Sequence, residues 1–464
     1  MNSKEIYSYA ICYPQIRHPL YMRKKELKLN YVGLLEYYAN QYCGGNPIVK
    51  IRLIDFRRVL LDDIDEFPNI NTDIKSMANN VLKTRFIPFR LFSYRYLFLF
   101  DCLMTLAPDN PELGKKISYD LKSLVHTRYH NEIDLMVKQM YSANYEYVNK
   151  HMITNEMICV WSSVQSYVKS HNRNITFTAT MSAGKSTLIN AIIGQELSYA
   201  KKAACTATVM KFISAPIVGC LSNVFSENEN NTCLKPDEVR KLTKKRETPC
   251  DIVCHFDSVL SKHKITLIDT PGVNSSQNPE HKKITRKELT GEETDLLVYV
   301  IPVENYGSEG DYLHLSYIKK KVQYNNIVFA VNMMDTCDFE DDSVQEIVSD
   351  IKEHLIGIGY ENPIVCPMSA KAGMLIKQAL SGNKLLKNDK NRCETFVNIF
   401  TGEDLCLGKY YPSTVELKIS NTKDLQNVGI DVEKIKNAYI NTGLPGFEKL
   451  LFDMSEEEKA ICRM

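Results

Sequence analysis

Short apolar segments alternate with longer amphipathic ones from Ile175 to the end of the chain. Several of these segments are near-continuous runs of valine, isoleucine and leucine, which is typical of strands that helices cover on both faces. We therefore predict an α/β fold with a doubly wound sheet, in which helices connect successive strands. The predicted strands are residues 175–179, 209–213, 264–269, 295–301, 327–332 and 363–368.

The first 170 residues have a helical pattern instead. Five apolar side chains recur at helical spacing and form one stripe: Ile133, Met136, Val137, Met140 and Tyr141. The apolar stretch 91–108 contains two charged residues, which favours a buried helix, whereas segment 49–61 fits either a strand or a helix. These patterns predict three parts, namely a mainly helical N-terminal domain over 1–170, an α/β domain over 171–456 and a short tail over 457–464.

Composition narrows the function classes. The 464 residues carry 57 Lys and Arg against 56 Asp and Glu, a net charge of +1, which argues against a general nucleic-acid-binding protein. The sequence contains no run of about 18 uncharged apolar residues, so we predict no membrane span. The first residues lack the apolar core of a signal peptide. The 14 cysteines are irregularly spaced, so we expect reduced thiols and a cytoplasmic location.

A phosphate-binding pattern follows the first predicted strand. Gly184, Lys185 and Ser186 match the end of Gly-x-x-x-x-Gly-Lys-Ser/Thr, placed between a strand and a helix as that loop requires. We expect the N–H groups of Ala183, Gly184, Lys185, Ser186 and Thr187 to surround the phosphates at the positive end of the helix. Lys185 is expected to reach the β- and γ-phosphates, and the Ser186 hydroxyl to bind Mg²⁺. Ala179 replaces the first glycine, and we expect it at negative φ.

Two further segments fit the metal and the γ-phosphate. Asp269 begins the sequence Asp-Thr-Pro-Gly at the end of a predicted strand, where its carboxylate can hold Mg²⁺ through a water. The N–H of Gly272 is expected to sense the γ-phosphate. Upstream, Thr206 is the expected second protein ligand of Mg²⁺, with Thr208 as a weaker competitor.

Base recognition is predicted from two more strand ends. Asn332 and Asp335 match the pattern Asn/Thr-Lys-x-Asp, and the Asp335 carboxylate can accept both N1–H and N2–H of guanine. Adenine offers no such pair of donors, so a buried Asp335 would disfavour ATP. Met333 replaces the usual lysine and can still lay an unbranched apolar stem over the base. Ser369, Ala370 and Lys371 follow another strand, and the Ala370 N–H is expected to donate to guanine O6.

These residues together resemble the GTPase domain of the dynamin superfamily, especially its bacterial dynamin-like members. Three features carry the resemblance: the sequence Met-Ser-Ala-Gly-Lys-Ser at 181–186, the long insert between Thr206 and Asp269, and the sequence 442–453, which resembles the closing helix of such domains. The resemblance covers about residues 172–455. It implies a P-loop fold that binds GTP and GDP and hydrolyses GTP to GDP and phosphate with Mg²⁺.

The resemblance also implies how water is activated. Val273 stands where Ras-like enzymes carry their water-orienting glutamine, so Ser182 and Thr206 are expected to place the water. A monovalent cation and homodimerisation across the nucleotide face are implied as well. Because the first switch lacks glycines here, we hypothesise that Lys201 or Lys202 supplies the positive charge in the manner of an arginine finger.

Three alternatives stay open. The first is a slow, self-associating GTPase whose cycle moves the N-terminal helical domain. The second is a guanine-nucleotide sensor with little hydrolysis that binds a protein partner, which the substitutions Ala179, Met181 and Met333 favour. The third is a ribosome- or RNA-associated GTPase, which the charge balance disfavours. The sequence identifies no protein partner, and no basic amphipathic helix with exposed aromatic residues supports membrane association.

Overall fold

The structure is a computed structural model. It describes residues 7, 10–11, 18–61, 73–82, 94–142, 152–198, 208–217, 219, 221–227, 229–245, 248–273, 279–290, 294–322, 326–337, 343–382, 385–402, 405–411 and 431–461. Among the described helices, none combines the length and the apolar character that a bilayer crossing requires.

Helices make up the described part of the chain before Arg173. They are α1 (Lys25–Cys43), α2 (Pro47–Leu61), α3 (Ile74–Leu82), α4 (Tyr94–Leu106), α5 (Pro111–Ser123), α6 (His130–Met140) and α7 (Asn155–Lys169). The segment that fitted a strand or a helix is thus helical in α2. Every residue of α4 is buried, which confirms the prediction of a buried helix, and the stripe on α6 faces the interior as its spacing predicted.

A nine-stranded sheet forms the centre of the described residues that follow. Its strands are β1 (Arg173–Ala179), β2 (Met210–Ala215), β3 (Ser222–Phe225), β4 (Asn230–Leu234), β5 (Cys250–His255), β6 (Ile265–Asp269), β7 (Leu296–Pro302), β8 (Ile327–Asn332) and β9 (Ile364–Pro367). Their order in the sheet is β4-β3-β5-β2-β6-β1-β7-β8-β9. The six strands predicted from the sequence are all present, to within one or two residues at each end.

The sheet is parallel from β6 through β1 to β9, and mixed beyond β6. There β2 runs antiparallel to β6, and β3 is antiparallel to both β4 and β5. The hairpin of β3 and β4 is not among the strands predicted from the sequence. Parallel strands end at the same edge, so Ala179, Asp269 and Asn332 lie at one side of the sheet.

The remaining helices surround the sheet. They are α8 (Lys185–Ile193), α9 (Pro236–Lys245), α10 (Pro279–Thr290), α11 (Glu309–Lys321), α12 (Val344–Ile358), α13 (Ala370–Leu380), α14 (Lys387–Ile399), α15 (Val432–Asn441) and α16 (Leu444–Ile461). The predicted closing helix corresponds to α16. In α9, Arg240, Lys241 and Lys244 are exposed and lie on the solvated face of the helix.

The N-terminal helices cover one face of the outer half of the sheet. Because strand side chains alternate between faces, Ile213 of β2, Phe225 of β3 and Val253 of β5 point into the core of the helical segment. Their neighbours Phe212 and Ile252 point into the core on the other face. The helices therefore form a layer of the α/β structure, and the two parts share one apolar interface.

Polar contacts fix this interface at the end of α7. The Tyr167 hydroxyl donates to the carbonyl of Ser214 at 2.8 Å, and Lys264 Nζ donates to the carbonyl of Val168 at 2.9 Å. Nearby, the fully buried Trp161 donates its Nε1–H to the carbonyl of Met140 at 2.6 Å. Trp161 is the only tryptophan of the chain, so its fluorescence reports on the helical layer.

A buried ion pair fixes the C-terminal end of α8. Lys377 Nζ on α13 donates to the carbonyls of Ala191 and Ile192 at 2.8 and 3.1 Å, and to Glu448 Oε1 on α16 at 2.5 Å. A cation suits this position, because the last carbonyls of a helix lack partners within the helix. Burial raises the pKa of the Glu448 carboxyl to about 7, although Lys377 beside it opposes the shift.

The shared apolar interface predicts that the helical layer and the sheet unfold together. Ile213→Ala removes a buried side chain of β2 and should lower the free energy of unfolding by about 2–5 kcal/mol. We expect the urea transition followed by Trp161 fluorescence to shift together with the one followed by circular dichroism. Ile356→Ala, at a 55% exposed position, is the control and should change stability by less than about 0.5 kcal/mol. An unchanged Trp161 transition in Ile213→Ala would mean that the helices unfold independently.

The raised pKa of Glu448 predicts a pH-dependent stability. The folded protein holds the proton more tightly than the unfolded chain, so this contribution should be lost as pH rises from about 4.5 through about 7. The wild type should lose roughly 1–3 kcal/mol of unfolding free energy across that pH range. Glu448→Gln has no titrating group at this position, so its unfolding free energy should not show this loss. Glu433→Gln, at an exposed position, should keep the wild-type pH dependence. Identical pH slopes for wild type and Glu448→Gln would contradict the assignment.

Candidate nucleotide-binding site

The phosphate loop connects β1 to α8. Ala179 is the last residue of β1, in extended conformation as expected, so the first glycine of the pattern is not needed for a positive φ. Left-handed conformations occur instead at Ser182 (φ 64°) and Gly184 (φ 80°). A Cβ at Gly184 would lie 2.3 Å from Asn332 Nδ2, so only glycine fits there. Ser182, the predicted catalytic serine, is exposed on the loop.

Asp269 is the centre of the site. It ends β6, is fully buried, and is hydrogen-bonded to three side chains. Lys185 Nζ contacts Oδ1, while the hydroxyls of Ser186 and Ser198 donate to Oδ2 at 2.9 and 3.1 Å. The structure therefore brings together the predicted phosphate-binding lysine, the predicted metal-binding serine and the predicted metal-binding aspartate. A buried carboxylate requires such donors, since burial without them is costly.

The donor set at Asp269 fits Mg²⁺. A carboxylate and a hydroxyl are hard oxygen ligands, which Mg²⁺ prefers, and it commonly keeps several waters and adds phosphate oxygens. Ser186 is the second residue of α8, so its hydroxyl lies at the helix end that favours anions. Thr206, the other predicted ligand, and Lys201 and Lys202 lie outside the described residues.

The segment after Asp269 packs against the phosphate loop. A Cβ at Gly272 would lie 3.4 Å from both Cα and Cγ of Met181, so Gly272 passes close to the loop at the position expected for sensing the γ-phosphate. Val273 is buried, and its N–H donates to the carbonyl of Ala179 at 3.2 Å. An inward-facing apolar residue therefore occupies the place of a water-orienting glutamine.

Asn332 links the phosphate loop to the predicted base site. It ends β8, and its Nδ2 donates to the carbonyl of Ala183 at 3.2 Å. Its Oδ1 accepts from the N–H of Ala370 at 3.0 Å. The N–H expected to contact guanine O6, at the start of α13, is thus paired with Asn332 at the end of β8 in this structure.

Asp335 and Met333 lie at the same end of the sheet. The Ser369 hydroxyl donates to Asp335 Oδ1, and Ser369 Oγ also accepts from the N–H of Ala372 as the N-cap of α13. Met333 adopts a left-handed conformation (φ 68°), and its Cε would lie 3.2 Å from a Cβ at Gly184. The thioether therefore reaches the phosphate loop, so Met333 keeps the apolar part of the contact expected of a lysine.

Lys371 points towards the loop that follows α8. Its Nζ lies 3.4 Å from Glu196 Oε1, and Arg240 of α9 lies 2.9 Å from the other oxygen of Glu196. Thr187, also predicted to bind phosphate through its N–H, is the third residue of α8 and half-buried. The four motifs whose key residues are described thus converge at one edge of the sheet.

Ser198 is a residue of this site that sequence reasoning missed. It belongs to none of the five motifs, and it contacts Asp269 only because the chain returns to the sheet edge after α8. Asn190 on α8 fixes the backbone of the segment that returns to the sheet edge. Its Oδ1 accepts from the N–H groups of Leu197 and Ser198, and its Nδ2 donates to the carbonyl of Ser198.

Comparisons with known proteins found one family and several similar proteins. The model of the Dynamin family matches residues 175–335, from β1 to Asp335. Sulfate adenylyltransferase subunit 1 of Aliarcobacter butzleri (strain RM4018) is 24% identical over 291 residues, which are 60% of this chain and 53% of that protein. Elongation factor 1-alpha of Thermococcus celer is 27% identical over 135 residues, 29% of each chain. The chain thus spans about half the length of the first of these relatives.

Two solved structures of an oligomerised bacterial dynamin pair, described as sensing and tethering membranes over long range, also align with the chain. They are 13% and 15% identical and cover 97% and 99% of this chain and 64% and 77% of theirs, each with a TM-score of 0.36. The family match is the more specific result, because it spans the phosphate loop, Asp269 and the base motif at Asp335. Residues 175–335 of this chain are therefore similar to the dynamin family, whose members bind GTP.

Proposed function

We propose that the protein hydrolyses GTP to GDP and phosphate with Mg²⁺, and that contact between two copies across the nucleotide face stimulates the reaction. The observation that carries the proposal is the buried Asp269, which contacts both Lys185 and Ser186 beside a phosphate loop with two left-handed residues. A phosphate-binding loop, a flexible cation and hard oxygen ligands are the parts that phosphoryl transfer requires.

Binding of the phosphates requires Lys185 to exchange partners. In this structure its ammonium is paired with Asp269, whereas a bound nucleotide offers the β- and γ-phosphates. The N–H groups of residues 183–187 and the positive end of α8 then face the phosphate oxygens. Mg²⁺ would be held by Ser186, Thr206 and, through water, Asp269, and it would supply positive charge to the γ-phosphoryl group during transfer.

Residues other than Val273 must orient the attacking water. Val273 is buried against the loop, so it cannot orient a water. Ser182 is exposed on the phosphate loop, and we propose that it places the water together with Thr206. The charge that develops in the transition state is stabilised by Lys201 or Lys202, or by a monovalent cation at the interface of the two copies.

The nucleotide cycle is proposed to move the N-terminal helical layer with the outer half of the sheet. Strand β2 begins shortly after Thr206 and carries Ile213 into the core of that layer. A displacement of the segment around Thr206 therefore acts directly on a strand that the helices cover. Because the interface is apolar and continuous, the layer moves with β2, β3 and β5 instead of swinging freely.

A nucleotide sensor with little hydrolysis is the second candidate. The substitutions Ala179, Met181 and Met333, which depart from the usual motifs, favour it. A ribosome- or RNA-associated role has no comparable support in the charge balance.

The proposed contact of Asp335 with guanine predicts that a substitution of Asp335 changes which base the protein prefers. Asp335→Asn removes one acceptor for guanine and adds an N–H donor, which suits the C2 oxygen of xanthine. We expect GDP affinity to fall at least about tenfold and xanthosine diphosphate affinity to rise, as measured by competition with a fluorescent nucleotide. Asp350→Asn, on the exposed face of α12, should leave both affinities unchanged. Unaltered discrimination in Asp335→Asn would remove Asp335 from the base site.

The dimerisation proposal predicts a concentration-dependent rate. Single-turnover GTP hydrolysis should rise with protein concentration, because each active site is completed only when two copies meet. A slow rate that does not change with concentration would instead support the sensor.

The lysine hypothesis predicts a large loss in one of two variants. Lys201→Ala or Lys202→Ala should lower the stimulated rate by at least about a hundredfold without added K⁺, as expected for a charge that acts in the transition state. Lys241→Ala, which removes an exposed lysine of α9, is the matched control and should hydrolyse GTP like the wild type. Wild-type turnover in both variants would exclude the hypothesis.

A further inference from the structure

Ser198 contributes a second hydroxyl to the carboxylate of the predicted metal site. Only 3% of the residue is exposed, and its Oγ donates to Asp269 Oδ2 at 3.1 Å. The same oxygen accepts from Ser186 Oγ at 2.9 Å. Ser198 comes from the chain that follows α8, so the contact joins Asp269 to a segment outside the phosphate loop.

The position of Ser198 is fixed by α8 itself. The amide of Asn190, which is buried on that helix, accepts from the N–H of Leu197 at 3.0 Å and from the N–H of Ser198 at 2.8 Å, and it donates to the carbonyl of Ser198 at 2.7 Å. From the other side, Thr243 Oγ1 of α9 donates to the carbonyl of Leu197 at 2.8 Å. Four hydrogen bonds thus hold a segment of two residues.

These contacts place the start of the segment that leads to Thr206. Residue 198 immediately precedes the stretch 199–207, and α8 begins with Lys185 and Ser186. One helix therefore carries the phosphate-binding lysine and the metal-binding serine at its start. Through Asn190 it also fixes the start of the segment with the second predicted metal ligand.

We propose that Ser198 is a positioning residue of the Mg²⁺ site, which orients the Asp269 carboxylate towards the metal-bound water. The proposal rests on the function proposed above. A bound nucleotide would offer its phosphates to Lys185, and Ser186 would be one of the residues that hold Mg²⁺. Ser198 has no such alternative partner among its described contacts, so its O–H continues to hold Oδ2 and leaves Oδ1 to the metal-bound water.

The proposal predicts that Ser198 affects nucleotide binding in the presence of Mg²⁺ and not in its absence. Dissociation of GDP that carries a fluorescent ribose label can be measured in excess Mg²⁺ and in excess chelator, and the ratio of the two rates gives the stabilisation by the metal. In Ser198→Ala this ratio should fall about tenfold, because a hydrogen bond to a charged group is lost. The rate in chelator should match that of the wild type, since no contact of Ser198 with nucleotide is proposed.

Two variants serve as controls for a general effect on folding. Ser214→Ala removes a buried serine hydroxyl of β2 that donates to the carbonyl of His263 at 2.6 Å, four residues along the strand from the pairing of Met210 with Asp269. Its ratio should equal that of the wild type. Ser198→Thr keeps the hydroxyl and should restore most of the ratio, which a purely steric role of Ser198 would not allow.

Asn190 gives an independent test of the same arrangement. Asn190→Ala should lower the ratio as Ser198→Ala does, and the double variant should lower it no further, because Asn190 acts on the metal through Ser198. The proposal is overturned if Ser198→Ala keeps the wild-type ratio, or if its rates in Mg²⁺ and in chelator rise by the same factor. If the wild type does not bind GDP, or if Mg²⁺ does not slow its release, the proposed function itself has failed.

Discussion

The buried carboxylate of Asp269 is the constraint on which the site depends. It lies at the end of β6, level with Phe177 of β1 and Met210 of β2. A charge in this position needs donors from every direction, and the chain supplies them from the first turn of α8 and from Ser198. The phosphate loop, the helix that follows it and the start of the first switch segment are therefore held in one place by one side chain.

The helical N-terminal part is a layer of the fold and not an appendage. Ile213, Phe225 and Val253 would be exposed to water on one face of the sheet if the helices were absent. The layer covers the mixed half of the sheet, while the half with β7, β8 and β9 is covered by helices of the α/β part. A displacement of β2, β3 or β5 would therefore act directly on the helices that cover them.

Much of the α/β part could be predicted from the sequence because its determinants are local. Continuous apolar runs predicted the five strands of the parallel part and β2, and the motifs at Lys185, Asp269 and Asp335 follow strand ends where the mechanism needs them. The hairpin of β3 and β4 was missed since its polar sequence is stabilised by pairing with β5, a contact between distant residues. The shared core and Ser198 were missed for the same reason. Nothing in the sequence near Ser198 indicates that the chain turns back to Asp269.

The ion pair of Lys377 with Glu448 gives α8 a mechanical role. The start of this helix faces the phosphates, and its last carbonyls are bonded to an ammonium that also holds the closing helix α16. A rigid helix transmits displacement along its axis, so a load applied to α16 is resisted by the element that carries Lys185 and Ser186. A displacement of α16 would therefore act, through the single side chain of Lys377, on the helix that carries Lys185 and Ser186.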